Sequence, residues 1–92
     1  MTKADIVSKI AEKTGVEKAV VLSVVEGFMD AVRQSLIDGE NVYLRGFGTF
    51  FRKKKAAKKA RNISKNITID IPAHEAPAYK PSKEFASTLK EQ

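Results

Sequence analysis

The chain contains no cysteine, which excludes disulfides and thiolate metal sites. A reducing compartment is therefore compatible, though not demanded. No apolar run approaches the roughly 20 residues that span a bilayer. The opening Met1-Thr2-Lys3-Ala4-Asp5 lacks the hydrophobic stretch of a secretory signal. The expectation is a cytoplasmic protein without a membrane partner. Phosphate-binding glycine loops, dinucleotide fingerprints, paired histidine metal motifs and activated-nucleophile motifs are all missing. The single histidine, His74, follows a proline–alanine pair without co-ligands at metal spacing, and reads as a solvent-exposed side chain. Aspartates and glutamates fall on predicted helix surfaces, and 92 residues scarcely form a catalytic cleft. These absences point away from an enzyme, a small-molecule substrate, a cofactor and a metal.

What is present is one small folded domain: 42% hydrophobic residues are too many for a disordered polar chain. The formal charge of +6 is concentrated in one place. Residues 1–50 are net −1 and residues 72–92 net zero. Residues 51–71 set Arg52, Lys53, Lys54, Lys55, Lys58, Lys59, Arg61 and Lys65 against Asp70 alone, net +7. Dispersed charge would serve solubility equally well, so this density points to a polyanionic partner.

The first half reads as two helices. Thr2 is a candidate N-cap with Asp5 three residues on, and Ile6, Val7, Ile10 and Ala11 recur at helical spacing. Gly15 suits a left-handed terminus. A second helix is predicted from about Lys18 to Asp38, stopped by Gly39. Its valines favour a strand mildly, but a strand of that length would be abnormal. After Gly39 the period falls to two, and Gly46-Phe47-Gly48 predicts a tight hairpin turn at Phe47. Residues 52–71 read as two strands joined at a tip, with Asn62, Ser64 and Asn66 as turn residues. Pro72, Pro77 and Pro81 predict an irregular segment. Ser82 then caps a short last helix, with Phe85 and Leu89 on its inner face.

Two features demand more than one chain. Val21, Val25, Phe28, Val32 and Leu36 form one stripe on the second helix, and Val20, Val24, Ala31, Leu22 and Met29 widen it beyond a single face. The basic segment, with only Ala56, Ala57 and Ala60 between Arg52 and Asn62, cannot bury a face against a core. Without it 71 residues remain, near the size at which a core supplies only about 3–5 kcal/mol. A protruding arm on a small body, completed by a partner subunit about a two-fold axis, fits both facts. Phe47, Phe50, Tyr79 and Phe85 read as packing residues rather than stacking platforms for bases. The expected core or dimer interface comprises Val25, Phe28, Met29, Val32, Leu36, Leu44, Phe47, Phe50 and Tyr79.

A two-stranded ribbon carrying positive charge can follow a phosphate backbone and enter a groove of the duplex. Ile63 is an apolar side chain in an otherwise polar turn, either an ordinary surface residue or a wedge between base pairs.

With Gly46-Phe47-Gly48-Thr49-Phe50 and Arg61-Asn62 at their spacing, the chain resembles the HU/IHF family of bacterial nucleoid-associated proteins, HU above all. The resemblance runs from Lys3 and the Ile-Ala-Glu-Lys run ending at Lys13 through Leu36, Gly39, Val42, Leu44, Ala56, Ile69, Ile71, Pro72-Ala73, Pro77-Ala78-Tyr79 and Lys83. It implies an α+β fold: an intertwined dimer with two N-terminal helices, a three-stranded antiparallel sheet with a protruding β-ribbon arm, and a short C-terminal helix. Residues 1–39 would form the helical dimerisation base. Residues 40–81 would form the saddle and arm, the arm spanning about 52–74, and residues 82–92 the last helix. The implied role is a histone-like homodimer that binds duplex DNA through the minor groove with little sequence preference. It bends the duplex and helps compact the chromosome in the nucleoid; strong kinking belongs to such proteins generally.

Matched by position, Lys53, Lys55, Lys58, Arg61 and Asn62 fall on the arm's contacts, and Lys3, Lys80 and Lys83 on body contacts to flanking DNA. Charge alone adds Arg52, Lys54, Lys59 and Lys65. The chain departs from the family at the tip, where Ile63 replaces the usual intercalating proline, and at Ala60, Ser82 and Ala86. Sequence-specific binding, structured RNA as partner and a purely structural assembly module stand as alternatives.

Overall fold

A computed structural model of the chain describes residues 1–62 and 67–91. Two helices open it, α1 (Lys3–Thr14) and α2 (Lys18–Ile37). The capping box forms as the sequence predicts. Thr2 Oγ1 accepts from the Asp5 N–H at 3.3 Å, and Asp5 Oδ2 accepts from the Thr2 N–H at 2.9 Å. Gly15 ends α1 at φ 75°, its N–H donating to the Ala11 carbonyl. Helix α2 ends in a Schellman motif. Gly39, at φ 87°, donates to the Leu36 carbonyl while Glu40 donates to that of Ser35.

Among the described residues, four of the five strands come in two antiparallel ribbons. β1 (Val42–Leu44) turns through Arg45, Gly46 and Phe47 into β2 (Gly48–Lys55), which pairs with β5 (His74–Pro81) to give a sheet of order β1-β2-β5. β3 (Lys58–Asn62) and β4 (Ile67–Ile71) form a separate two-stranded ribbon. α3 (Lys83–Lys90) closes the chain, capped by Ser82 Oγ on the Phe85 N–H at 3.1 Å. The α+β class and the three-stranded sheet are as expected. The irregular segment predicted after Pro72 is not: residues 74–81 are a full strand. β5 lies at the edge of its sheet, so Pro77, which cannot donate, can turn its nitrogen away from β2.

The glycine turn is as predicted, although its two glycines do different work. The Phe47 N–H donates to the Leu44 carbonyl, and only Gly46 takes a positive φ, 79°. Gly48 is required by proximity instead: a Cβ there would lie 2.6 Å from the Tyr79 ring and 2.5 Å from the Lys80 carbonyl. The Phe47 carbonyl accepts from both the Tyr79 hydroxyl and the Ser82 N–H, each at 2.9 Å. The turn is thus tied to the start of α3. Around it the rings of Phe47, Phe50, Tyr79 and Phe85 pack at centroid distances of 5.1–6.4 Å.

Helix α2 lies against β1 and β2, with α1 beside it. The core of this single protomer is thin. Among the described residues only Val7 and Val21 are buried hydrophobics. Val25, Met29, Val32, Leu36, Leu44 and Phe50 are half-buried, while Phe28, Phe47 and Tyr79 remain exposed. Leu89, expected on the inner face of α3, is 65% exposed, because within one protomer only Phe85 reaches the aromatic cluster.

Candidate nucleic-acid interface

The two ribbons continue one another. Paired residue numbers add to the same total in β2–β5 and in β3–β4, so the interruption at residues 56–57 and 72–73 involves no change of register. Pro72 supplies no N–H to the ladder at that point. The resulting arm makes the molecule 55 Å long and 32 × 30 Å across, with a radius of gyration of 18.4 Å. A compact domain of this size would have about 12 Å. The protrusion expected from composition is therefore present.

Strand alternation divides the root of the arm into two faces. On one, Phe50, Arg52 and Lys54 lie opposite Tyr79, Pro77 and Glu75. This face turns toward the helices: Phe50 packs on Tyr79 with centroids 5.1 Å apart, and the Arg52 guanidinium pairs with Glu75 and lies beside Gly39 at the end of α2. On the other face, Thr49, Phe51, Lys53 and Lys55 lie opposite Lys80, Ala78, Ala76 and His74. Along β2 and β5 no carboxylate shares this outer face; beyond the interruption the same alternation brings Asp70 onto it, opposite Lys59. Lys53, Lys55 and Lys80 are exposed there and form no ion pair among the described residues.

The remaining expected contacts fall in three places. In the distal ribbon, Lys58 and Lys59 are exposed, opposite Ile71 and Asp70, and the backbones of Arg61 and Asn62 pair with Thr68 and Ile67. Ile67 and Ile69 are large apolar side chains left in solvent on β4. On the body, Lys83 opens α3 and Lys3 opens α1, the latter with its ammonium 2.9 Å from Glu26 Oε1 on α2. Ile63 and Lys65 lie outside the described residues. The structure thus separates the expected contacts: Lys3 and Arg52 each have a carboxylate partner, whereas Lys53, Lys55 and Lys80 have none among the described residues. Glu26 and Glu75 were missed because each is remote in sequence from the cation it meets. His74, read only as an exposed residue, is found directly opposite Lys55 on the cationic face.

The family model described as bacterial DNA-binding protein matches residues 1–90. The chain belongs to the HU family of bacterial DNA-binding proteins. It is 42% identical to the SPbeta prophage-derived DNA-binding protein HU 2 of Bacillus subtilis over 90 residues, which cover 98% of each chain. It is 37% identical to the DNA-binding protein HU of Staphylococcus aureus, over 98% of this chain and 100% of that one. Among solved structures, HU from Anabaena in a cocrystal with DNA superposes over the whole of both chains, with a TM-score of 0.91 and 29% identity. An HU variant from Thermotoga maritima, at 21% identity and a TM-score of 0.74, shares the fold. The HU fold thus accounts for the long arm, the glycine turn and the two-helix base found here.

Proposed function

We propose that the chain works as a homodimer whose two arms embrace duplex DNA, enter its minor groove and bend it with little regard to sequence. Its general role as a histone-like architectural DNA-binding protein follows from its family. The observation that supports the finer reading is the outer face of the arm root, where Lys53, Lys55 and Lys80 stand exposed without a competing carboxylate. Lysines held this way neutralise phosphates as point charges, releasing counterions and contributing a log–log salt slope of about −0.9 per contact. Lys59 and Arg61 extend the track along the distal ribbon by the same alternation, Lys58 adds charge on the opposite face, and Lys80 and Lys83 carry the track onto the body. Ile63 is assigned to the tip as a wedge that lowers the cost of a kink.

Dimerisation is supported by what one protomer leaves uncovered. Val24 on α2 is 66% exposed, and Phe28, Phe47, Tyr79 and Phe85 are also exposed, a set that a lone domain would leave in water. In this reading residues 1–39 form the helical dimerisation base, residues 40–81 the saddle and arm, the arm spanning about 52–74, and residues 82–92 the C-terminal helix. Binding of this kind compacts the bacterial chromosome, places the protein in the nucleoid and requires no catalysis.

The test is binding and end-to-end energy transfer on short intact and nicked duplexes across a salt series. Salt-dependent binding, shortened end-to-end distance and tighter binding to the nicked duplex are expected, since a nick lowers the bending energy still to be supplied. Unchanged geometry at saturating protein refutes bending, and a clear preference for RNA duplexes at equal salt refutes DNA as the principal partner. Ile63→Ala is expected to reduce bending more than affinity; equal losses would remove the wedge.

A further inference from the structure

We propose that His74 is a proton-dependent phosphate contact, making the grip of the arm on DNA tighten as pH falls. The inference rests on the outer-face reading above. His74 opens β5 directly opposite Lys55, on the face that also presents Lys53 and Lys80. Among the described residues β2 is the one strand paired with β5, and the residues it turns to this face are Thr49, Phe51, Lys53 and Lys55. Glu75, the next residue, projects to the opposite face and is engaged by Arg52. Beyond the interruption Asp70 continues this face, opposite Lys59 and four residues from His74, whereas Lys58 projects to the other face. The imidazole is exposed among cations, where a polyanion would be drawn.

One ring nitrogen is already engaged, which leaves Nε2 for that polyanion. Nδ1 lies 3.0 Å from the Pro72 carbonyl, which can only accept, so Nδ1 carries a proton and donates. In the neutral ring Nε2 then holds a lone pair, which repels a phosphate oxygen. Protonation converts Nε2 into a charged donor and leaves the bond to Pro72 intact. DNA therefore binds the protonated ring better and takes up a proton at each arm. Histidine is the side chain whose ordinary charge change falls between about pH 5 and 8. His74 is the sole histidine in the chain.

The experiment measures affinity for a short duplex by fluorescence anisotropy at about pH 6 and pH 8, over a salt series, for the unaltered protein, His74→Gln and His74→Lys. The unaltered protein is expected to bind about tenfold more tightly at the lower pH, with a salt slope steeper by up to about 0.9 per arm. His74→Gln should be insensitive to pH and match the unaltered protein at pH 8. His74→Lys should be insensitive and match it at pH 6. A glutamine variant that keeps the full pH dependence overturns the proposal, as does pH-independent binding by the unaltered protein. In either case loss of affinity in Lys55→Ala would leave the outer-face reading standing. Failure of the unaltered protein to bind duplex at any pH overturns both.

Discussion

The division of the arm root into two faces makes cations three residues apart unequal, and Lys55 against Arg52 is the sharpest comparison. Lys55 is exposed on the outer face without an ion-pair partner among the described residues, whereas Arg52 is held by Glu75 on the face turned to the helices. In a homodimer, Lys55→Ala removes two phosphate contacts and should flatten the salt slope by about 1.8. At about 0.1 M monovalent salt each contact of this kind is worth about eightfold, so affinity should fall about sixtyfold. The matching control is the double variant Arg52→Ala/Glu75→Ala, which removes a charge pair of zero net charge. Its slope should stay within about 0.3 of the parent, since a neutral pair displaces no condensed counterions. Anisotropy titrations of one duplex from about 50 to 300 mM salt measure both slopes. Equal flattening in the two variants would refute the assignment of faces, because it would mean that Arg52 leaves Glu75 and reaches the phosphates as Lys55 does.

Glu75→Gln should free Arg52 and tighten duplex binding severalfold with a steeper salt slope, measured by the same titration; unchanged binding would show that Arg52 cannot reach DNA. Gly48→Ala should cost about 3 kcal/mol, because the added Cβ meets the Lys80 carbonyl at 2.5 Å and backbone cannot yield as a side chain does. Thermal unfolding at fixed protein concentration reads that loss, and an unaltered melting temperature would contradict it. Thr2→Ala should cost about 1 kcal/mol per chain by removing the cap of α1, with the salt slope of DNA binding unaffected.

Local chemistry made most of the fold legible. The Thr2–Asp5 box, Gly15, Gly39 and Ser82 mark helix ends through hydrogen bonds and φ values that few residue types satisfy, and each does so here. The period of two identified the β1–β2 hairpin because its turn is short. Pro77 misled for a physical reason: proline excludes a central strand but tolerates an edge, and edge position is a property of the whole sheet. Charge density located the arm but not its working face. That face depends on register, and register depends on where the ribbon folds back. Folding residues 52–77 about their midpoint places Lys54 opposite Glu75 and Lys55 opposite His74, as found. The Lys3–Glu26 pair had no comparable signal, since it depends on how α1 packs against α2.

The same alternation explains how one strand serves folding and binding at once. Along β2, Phe50 joins the aromatic cluster and Arg52 closes an ion pair, while Phe51, Lys53 and Lys55 point the other way. Substitutions at odd positions from 53 onward can therefore tune affinity without touching the packing that holds the strand in place. The even positions carry the opposite consequence. Loss of Phe50 weakens the cluster that includes Phe47, Tyr79 and Phe85, the rings still partly open to solvent in one protomer. If the partner subunit covers those rings, weakening the cluster should lower dimer affinity first and DNA binding as a consequence. Phe50→Ala should accordingly show DNA binding that recovers as protein concentration rises, whereas Lys55→Ala should not recover. Sedimentation velocity beside the anisotropy titration separates the two, and a concentration-independent defect in Phe50→Ala would break the proposed link between the aromatic cluster and assembly.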